Sequence, residues 1–282
     1  MAWNPSTILS FVRGLPTSAH TALVETDVGL GYLKALGGKE GPQTLASEVV
    51  ATELAKWFKL PTLEWHEIIV DEIDEIPFLN SLGEESGEFA APGPAFITRE
   101  EKGGPWNGTK AQLELLENPQ DISRLVVFDT WVMNCDRYSE KEHNGVIRKR
   151  RNTDNVFLSE ETSPGKFLLK AMDHTHCFTC GHGWTRKLSN IDSIRDNKLF
   201  GLFPEFQPFL DRTVIAEAAD DLRRIDSDTI SEIAQRIPNE WGVKQDALDA
   251  LRRLVIQRAT YVADTIETRI WPQRDLFADN ED

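Results

Sequence analysis

Residues 125–178 read LVVFDTWVMNCDRYSEKEHNGVIRKRRNTDNVFLSEETSPGKFLLKAMDHTHCF, and this stretch decides the fold. An apolar, helix-like run ends in Asn134-Cys135-Asp136-Arg137, and a polar, basic segment follows. Two short apolar runs come next: Val156-Phe157-Leu158 directly after Asn155, and 167–171 directly before Met172-Asp173-His174. Each run carries one carboxylate or carboxamide at its edge, so Asp136, Asn155 and Asp173 sit on short elements able to converge. An acid that orients a hydroxyl, with an Asn and an Asp that hold Mg2+ on phosphates, is the set that phosphoryl transfer requires.

Taken singly, each residue has a plainer reading. Asp136 beside Arg137 reads as a helix C-terminus with a surface salt bridge. Its functional reading is a base for a substrate hydroxyl, with Arg137 orienting it or neutralising phosphate. In protein kinases the metal-binding Asn follows the catalytic Asp by about five residues. Here 138–151 intervenes, so the loop must be expanded, and Asn144 is a rival to Asn155, with Asn152 a weaker one. Asn155 is preferred because the strand-like run beginning at Val156 fixes its place. The cluster Arg148-Lys149-Arg150-Arg151 reads as a solvated loop tip before it reads as a site for an acidic or phosphorylated partner.

Upstream, strands are expected over 21–26 and 31–36 around a turn-rich link, then a helix over 43–59 with apolar residues at three- and four-residue spacing. A β-branched run over 63–70 and a short run over 93–98 add strands, and 80–94, rich in Gly, Ser, Glu and Pro, reads as an exposed excursion. Lys34 lies mid-strand between Leu33 and Ala35. An ammonium buried there needs an anion, and Glu48 on the following helix can supply it, Glu53 less well. The plainer reading is a lysine that snorkels to water.

Downstream, helices are expected over 110–117, from 121 through Val132, and over 208–222, 227–236 and 244–270. The chain thus divides into a β-rich half with one main helix (1–98), a linker (99–105), a mostly helical half (106–278) and an acidic tail (279–282) expected to be disordered. The fold class is α+β.

Lys+Arg 31 against Asp+Glu 46 gives a net charge of −15, which disfavours nonspecific nucleic-acid binding and an anionic bilayer. No apolar run reaches transmembrane length and the N-terminus lacks a signal-peptide pattern, so a cytoplasmic protein is expected. Three cysteines make no disulfide framework. The run His174, His176, Cys177, Cys180, His182 contains a C-x2-C and admits a zinc site, against a loop that follows the metal-binding Asp. His20 and His66 read as local hydrogen-bond formers. Trp57, Trp131 and Trp241 read as core, while Trp106, flanked by Gly and Pro, reads as exposed near the cleft.

In order and spacing, Asn134-Cys135-Asp136-Arg137, Asn155-Val156-Phe157-Leu158 and Met172-Asp173-His174 resemble the HipA-like serine/threonine kinases, in their compact single-chain branch. Tyr32-Leu33-Lys34, Ala46-Ser47-Glu48-Val49-Val50, Leu60-Pro61-Thr62-Leu63 and Ala95-Phe96 extend the resemblance over about 12–180. It implies a bilobal kinase-like fold, with a β-rich N-terminal lobe and a mostly helical C-terminal one. It implies ATP and Mg2+ between the lobes and transfer to a Ser or Thr hydroxyl of a protein. Residue by residue, it gives Lys34 the phosphates, Asp136 the catalytic role, Asn155 and Asp173 the metal, and Phe96 and Ile97 the adenine. Residues 13–20 would form the phosphate loop, with Ser18 in place of the missing glycines. A toxin-like or regulatory role and a cognate regulatory partner are further implications. The alternatives are a small-molecule or lipid-head-group kinase, and a catalytically dead kinase fold used for binding.

Overall fold

The computed structural model describes residues 3–272 except Lys39, Ser81, Asn144, Gly145 and His182. Asn144, His182 and the tail over 279–282, all weighed above, lie outside the described residues.

Strands β1 (Ile8–Gly14), β2 (Ala22–Thr26) and β3 (Gly29–Lys34) form an antiparallel meander. Helix α1 (Pro42–Trp57) follows, with proline in its first turn, where a missing N–H leaves no intrahelical bond unmade. Residues 44–55 are buried on every side, because the helix lies between this sheet and the second lobe. After β4 (Trp65–Val70) comes a hairpin of β5 (Pro77–Leu79) and β6 (Glu85–Phe89). The expected excursion over 80–94 therefore holds a strand, though every residue of β6 is exposed. Strand β7 (Gly93–Arg99) slots between β3 and β4 and completes the antiparallel order β1-β2-β3-β7-β4.

Strand alternation splits β7 between two environments. Phe96 pairs with Lys34 in register and stacks on Trp65, ring centroids 5.0 Å apart. Ile97 points to the other face, into a core with Trp3, Ile8, Val24, Leu33 and Ile68. The expectation that Phe96 and Ile97 both meet a ligand is corrected for Ile97, whose neighbours are these apolar side chains.

Only residues 100–102 separate β7 from β8 (Gly103–Pro105), which already belongs to the second lobe. There follow α2 (Lys110–Leu113), α3 (Asp121–Val132) and a hairpin of β9 (Tyr138–His143) and β10 (Val146–Arg151). The basic cluster over 148–151 is thus a paired strand rather than a loop tip. Strands β11 (Val156–Ser159) and β12 (Leu168–Ala171) join β8 in the order β12-β11-β8. The rest is helical: α4 (Ile191–Ile194), α5 (Arg212–Leu222), α6 (Ser227–Ala234) and α7 (Gln245–Ile270). Asp211 and Asp226 cap α5 and α6 by accepting backbone N–H bonds, so α5 starts later than its apolar pattern alone predicts. Trp106 is 1% exposed and donates its indole N–H to the Thr109 carbonyl among Phe203 and Phe206, so the expectation of an exposed platform is corrected. No described helix is long and apolar enough to cross a membrane.

One core runs from α1 through α3, β11 and β12 to α5 and α7. At its centre Arg258 of α7 is fully buried and donates to the carbonyls of Thr130 and Trp131 at the end of α3. It also donates to those of Ser193, Ile194 and Asp196. One guanidinium thereby satisfies carbonyls that helix ends leave unpaired. Arg258→Leu should lower the unfolding free energy by about 3 kcal/mol, since several buried acceptors lose their donor together. Urea denaturation checks this, and an unchanged midpoint would show that the carbonyls find other partners.

Candidate active site

Between the lobes lies a cavity of about 260 Å3, walled by Tyr32, Leu63, Phe96 and Phe157, with Lys34, Glu48 and Asp173 at one end. A larger hollow of about 640 Å3 opens beside α6 and α7, away from all three of these residues.

The cavity's polar end is built from the two lobes together. Lys34 leaves the end of β3, and its Nζ lies 2.8 Å from Glu48 Oε2 on α1 and 3.0 Å from Asp173 Oδ1 beyond β12. Burial alone would lower the lysine's pKa, but the two carboxylates outweigh it and hold Lys34 above the ordinary range. Burial alone would raise Asp173, and the Lys34 charge instead drives it well below the usual carboxylate range. For Glu48, burial pushes the pKa up against the pull of Lys34. Glu48 also accepts the backbone N–H of His174, which ties α1 to the segment that carries Asp173. His174 is fully buried beside Thr52 and held neutral by burial and by Arg137. Asp173 has φ 55°, a left-handed conformation that Asp tolerates better than most residues, and the Thr175 hydroxyl braces its Oδ1.

Asp136 lies on the loop after α3, and a buried ion pair behind it sets the loop's course. Arg137 and Asp129 of α3 are both fully enclosed and paired. Arg137 also donates to the carbonyls of Asn155 and Met172, so one side chain joins the loops that carry Asp136, Asn155 and Asp173. Of the two roles expected for Arg137, orienting the acid agrees with this geometry. Neutralising phosphate does not, because the guanidinium never reaches the cavity. Gly201 packs on Asp129 at φ 71°, where a Cβ would collide with the carboxylate, so only glycine fits.

Asn155 donates from Nδ2 to Asp136 Oδ2 at 2.9 Å. Its own Oδ1 and Asp173 Oδ2 have no hydrogen-bond partner among the described residues. These are hard oxygen donors, and Mg2+ is held by one or two such groups together with substrate phosphates. The donor set therefore fits that metal. Two side chains that the sequence offered only as parts of other groups, Arg150 and His176, flank Asp136, and Glu40 stands behind His176. Arg150 of β10 pairs with its Oδ1, His176 Nδ1 lies 3.5 Å from its Oδ2, and His176 Nε2 lies 3.3 Å from Glu40 Oε1. The neighbouring carboxylates of Asp136 and Glu40 lift His176 to about 10, against its burial. Burial would raise Asp136, yet His176 and Arg150 hold it below the ordinary value.

Ser18 is exposed and stands outside the cavity wall, near Glu40. Leu15, Thr17 and Thr21 of the same β1–β2 turn line the cavity instead. Glu53 accepts the Trp65 indole N–H and pairs with Lys56, away from Lys34. Asn152 caps the short 3-10 turn over 153–155. Cys177 is fully buried with its thiol pKa pushed up by burial, and no three His, Cys, Asp or Glu among the described residues come close enough to share a metal ion. Asp129 was legible in principle, because an acid inside Val127-Phe128-Asp129-Thr130-Trp131 must find a buried cation. His176, Glu40 and Arg150 carried no such signal.

The fold is shared with a Helicobacter pylori proinflammatory kinase, CtkA, at a TM-score of 0.56 and 14% identity, over 94% of this chain and 98% of that one. Looser likenesses are to HipA of Shewanella oneidensis MR-1, solved with HipB and operator DNA (TM-score 0.49, 12% identity, 95% of this chain and 68% of that), and to a Golgi casein kinase with Mn/ADP bound (0.49, 9%, 95% and 75%). At these scores the last two add nothing to the fold assignment. No curated protein sequence matches the chain. The HipA-like kinase model matches residues 31–271, most of the chain, and the protein therefore belongs to the HipA-like kinase family.

Proposed function

We propose that this kinase transfers the γ-phosphoryl group of ATP, with Mg2+, to a Ser or Thr hydroxyl of a protein. The observation that carries the reading is Lys34, held by Glu48 and Asp173 at the polar end of an apolar cavity, with Asp136 and Asn155 on the adjoining loop. The apolar walls suit a purine base, with Phe96 and Phe157 against its faces. Lys34 reaches the phosphates as a fixed cation already paired, so its charge is set before the nucleotide arrives. Asn155 and Asp173 would hold Mg2+, which when bound neutralises charge developing on the phosphate oxygens.

Asp136 orients the acceptor hydroxyl and receives its proton as the new O–P bond forms, the bond from Pγ to the ADP oxygen breaks, and ADP leaves. Asn155 fixes Oδ2 of Asp136, and Arg137 fixes both loops from behind. His176 and Arg150 keep Asp136 ionised at neutral pH. Ser18, near Glu40, is assigned to ordering the β1–β2 turn over the phosphates.

Three outcomes check this reading. With γ-labelled ATP and a Ser/Thr-containing protein mixture, Asp136→Asn should lower transfer by roughly 10^2- to 10^4-fold while Mg·ATP binding persists. Retained transfer in that variant would remove Asp136 as the base. Asp173→Asn should weaken Mg-dependent ATP binding itself, as read by thermal shift, and an unaltered Mg dependence would remove Asp173 from the metal.

The third concerns His176, whose pKa is higher in the folded state (about 10) than its unfolded value of about 6.5. Its stabilising contribution is complete below that unfolded value and disappears as pH rises through about 10. The melting temperature of His176→Gln should lie below that of the wild type at pH 6, and the gap should close between pH 7 and 10. A gap of constant size over that range would show that the imidazolium is not bonded as described.

A further inference from the structure

We propose that the face of β10 bearing Arg148 and Arg150 is the docking surface for an acidic protein segment that flanks the phospho-acceptor hydroxyl. This rests on the protein-kinase reading above and names the substrate class for the same site.

The four cations over 148–151 do not share one environment. Strand alternation separates Arg148 and Arg150 from Lys149 and Arg151. Lys149 lies 2.8 Å from Glu140 of β9, its register partner. Arg151 lies 2.8 Å from Glu205 and packs over Trp106 and Phe203. That face is neutralised within the molecule. On the other face Arg150, half-exposed, has only Asp136 as its acidic partner, and Arg148, exposed, has none among the described residues. On a chain of net charge −15, a cation paired only with the proposed catalytic acid, next to a second with no acidic partner among the described residues, stands out.

Arg150 also meets the one carboxylate oxygen of Asp136 that Asn155 and His176 leave open. An acceptor hydroxyl cannot approach that oxygen until the guanidinium moves. Once it moves, Arg150 loses its counter-charge and stands beside Arg148, two residues and about 7 Å away along the strand. A carboxylate on the incoming segment restores the lost pair, and a second one meets Arg148. A neutral or basic segment leaves both cations unpaired. The fit is to a short acidic stretch rather than a polyanion. Two cations give little of the multiple phosphate contact that nucleic-acid binding requires, and the overall charge repels both nucleic acid and an anionic bilayer.

The test is binding rather than turnover. A fluorescent peptide with alanine at the acceptor position and three glutamates around it is titrated by anisotropy, beside the same peptide with glutamines. Arg148→Ala and Lys149→Ala each remove one positive charge, from opposite faces. The glutamate peptide should bind the wild type roughly fivefold tighter or more. Arg148→Ala should lose about fivefold of that affinity, and Lys149→Ala should keep it. Equal binding of the two peptides, or an equal loss in both variants, would overturn the surface, the second because only net charge would matter. Tighter binding of a 20-nucleotide RNA or of phosphatidylserine vesicles through Arg148 would overturn the occupant. Because alanine cannot accept phosphate, this result is independent of transfer. A chain that binds the peptide through Arg148 yet labels no serine version of it keeps the docking surface and loses the kinase reading.

Discussion

The burial of one ammonium group constrains the rest of this molecule. Lys34 sits at the end of β3 with little water around it, and an unpaired charge there would be costly. Glu48 and Asp173 remove that cost only if α1 packs against the sheet and the segment after β12 closes from the other lobe. A single pairing thus fixes the angle of a helix, the position of Asp173 and the polar end of a cavity. The left-handed backbone at Asp173 is tolerated because the Lys34 pair, the Thr175 hydroxyl and the His174–Glu48 bond all hold it there.

A second buried pair does the same for the loop that carries Asp136. Asp129 and Arg137 are enclosed side by side, and the guanidinium spends its remaining donors on the carbonyls of Asn155 and Met172. Its bonds therefore run to the backbone of two further loops, 18 and 35 residues on in sequence. Replacing one partner would leave a buried charge without compensation, so the pair specifies loop geometry more than it adds stability. The close packing of Gly201 on Asp129 extends this frame into the helical lobe.

The inserted hairpin of β9 and β10 separates Asp136 from Asn155 in sequence without separating them in space, since their side chains remain hydrogen-bonded. It brings an arginine-bearing strand to Asp136. The chain is otherwise strongly acidic, so this strand and Lys34 concentrate positive charge around Asp136 and Asp173. His176 adds a third cation, shared between Asp136 and Glu40, and so links the catalytic loop to the turn before α1.

The sequence alone determined the main helices, the central strands and their order, though not β1 or the β5–β6 and β9–β10 hairpins, whose exposed or charged residues read as loops. Strand alternation, helical spacing, capping residues and the run of Asp136, Asn155 and Asp173 are short-range features, each set by a few neighbours. The need of a buried lysine for an acid is also local, and it singled out Glu48 before any packing was known. Tertiary structure decided which side chains share a surface. Arg150 and His176 meet Asp136 from segments 14 and 40 residues on, Glu40 meets His176 from far upstream, and no local preference encodes those meetings. Trp106 looked exposed because breakers flank it, but Phe203 and Phe206 from the helical lobe cover it. Ile97 looked like its neighbour Phe96 until the sheet gained a second core on its outer face. Spacing in sequence tells which groups can point the same way, and only the packing of one lobe on the other tells which of them touch.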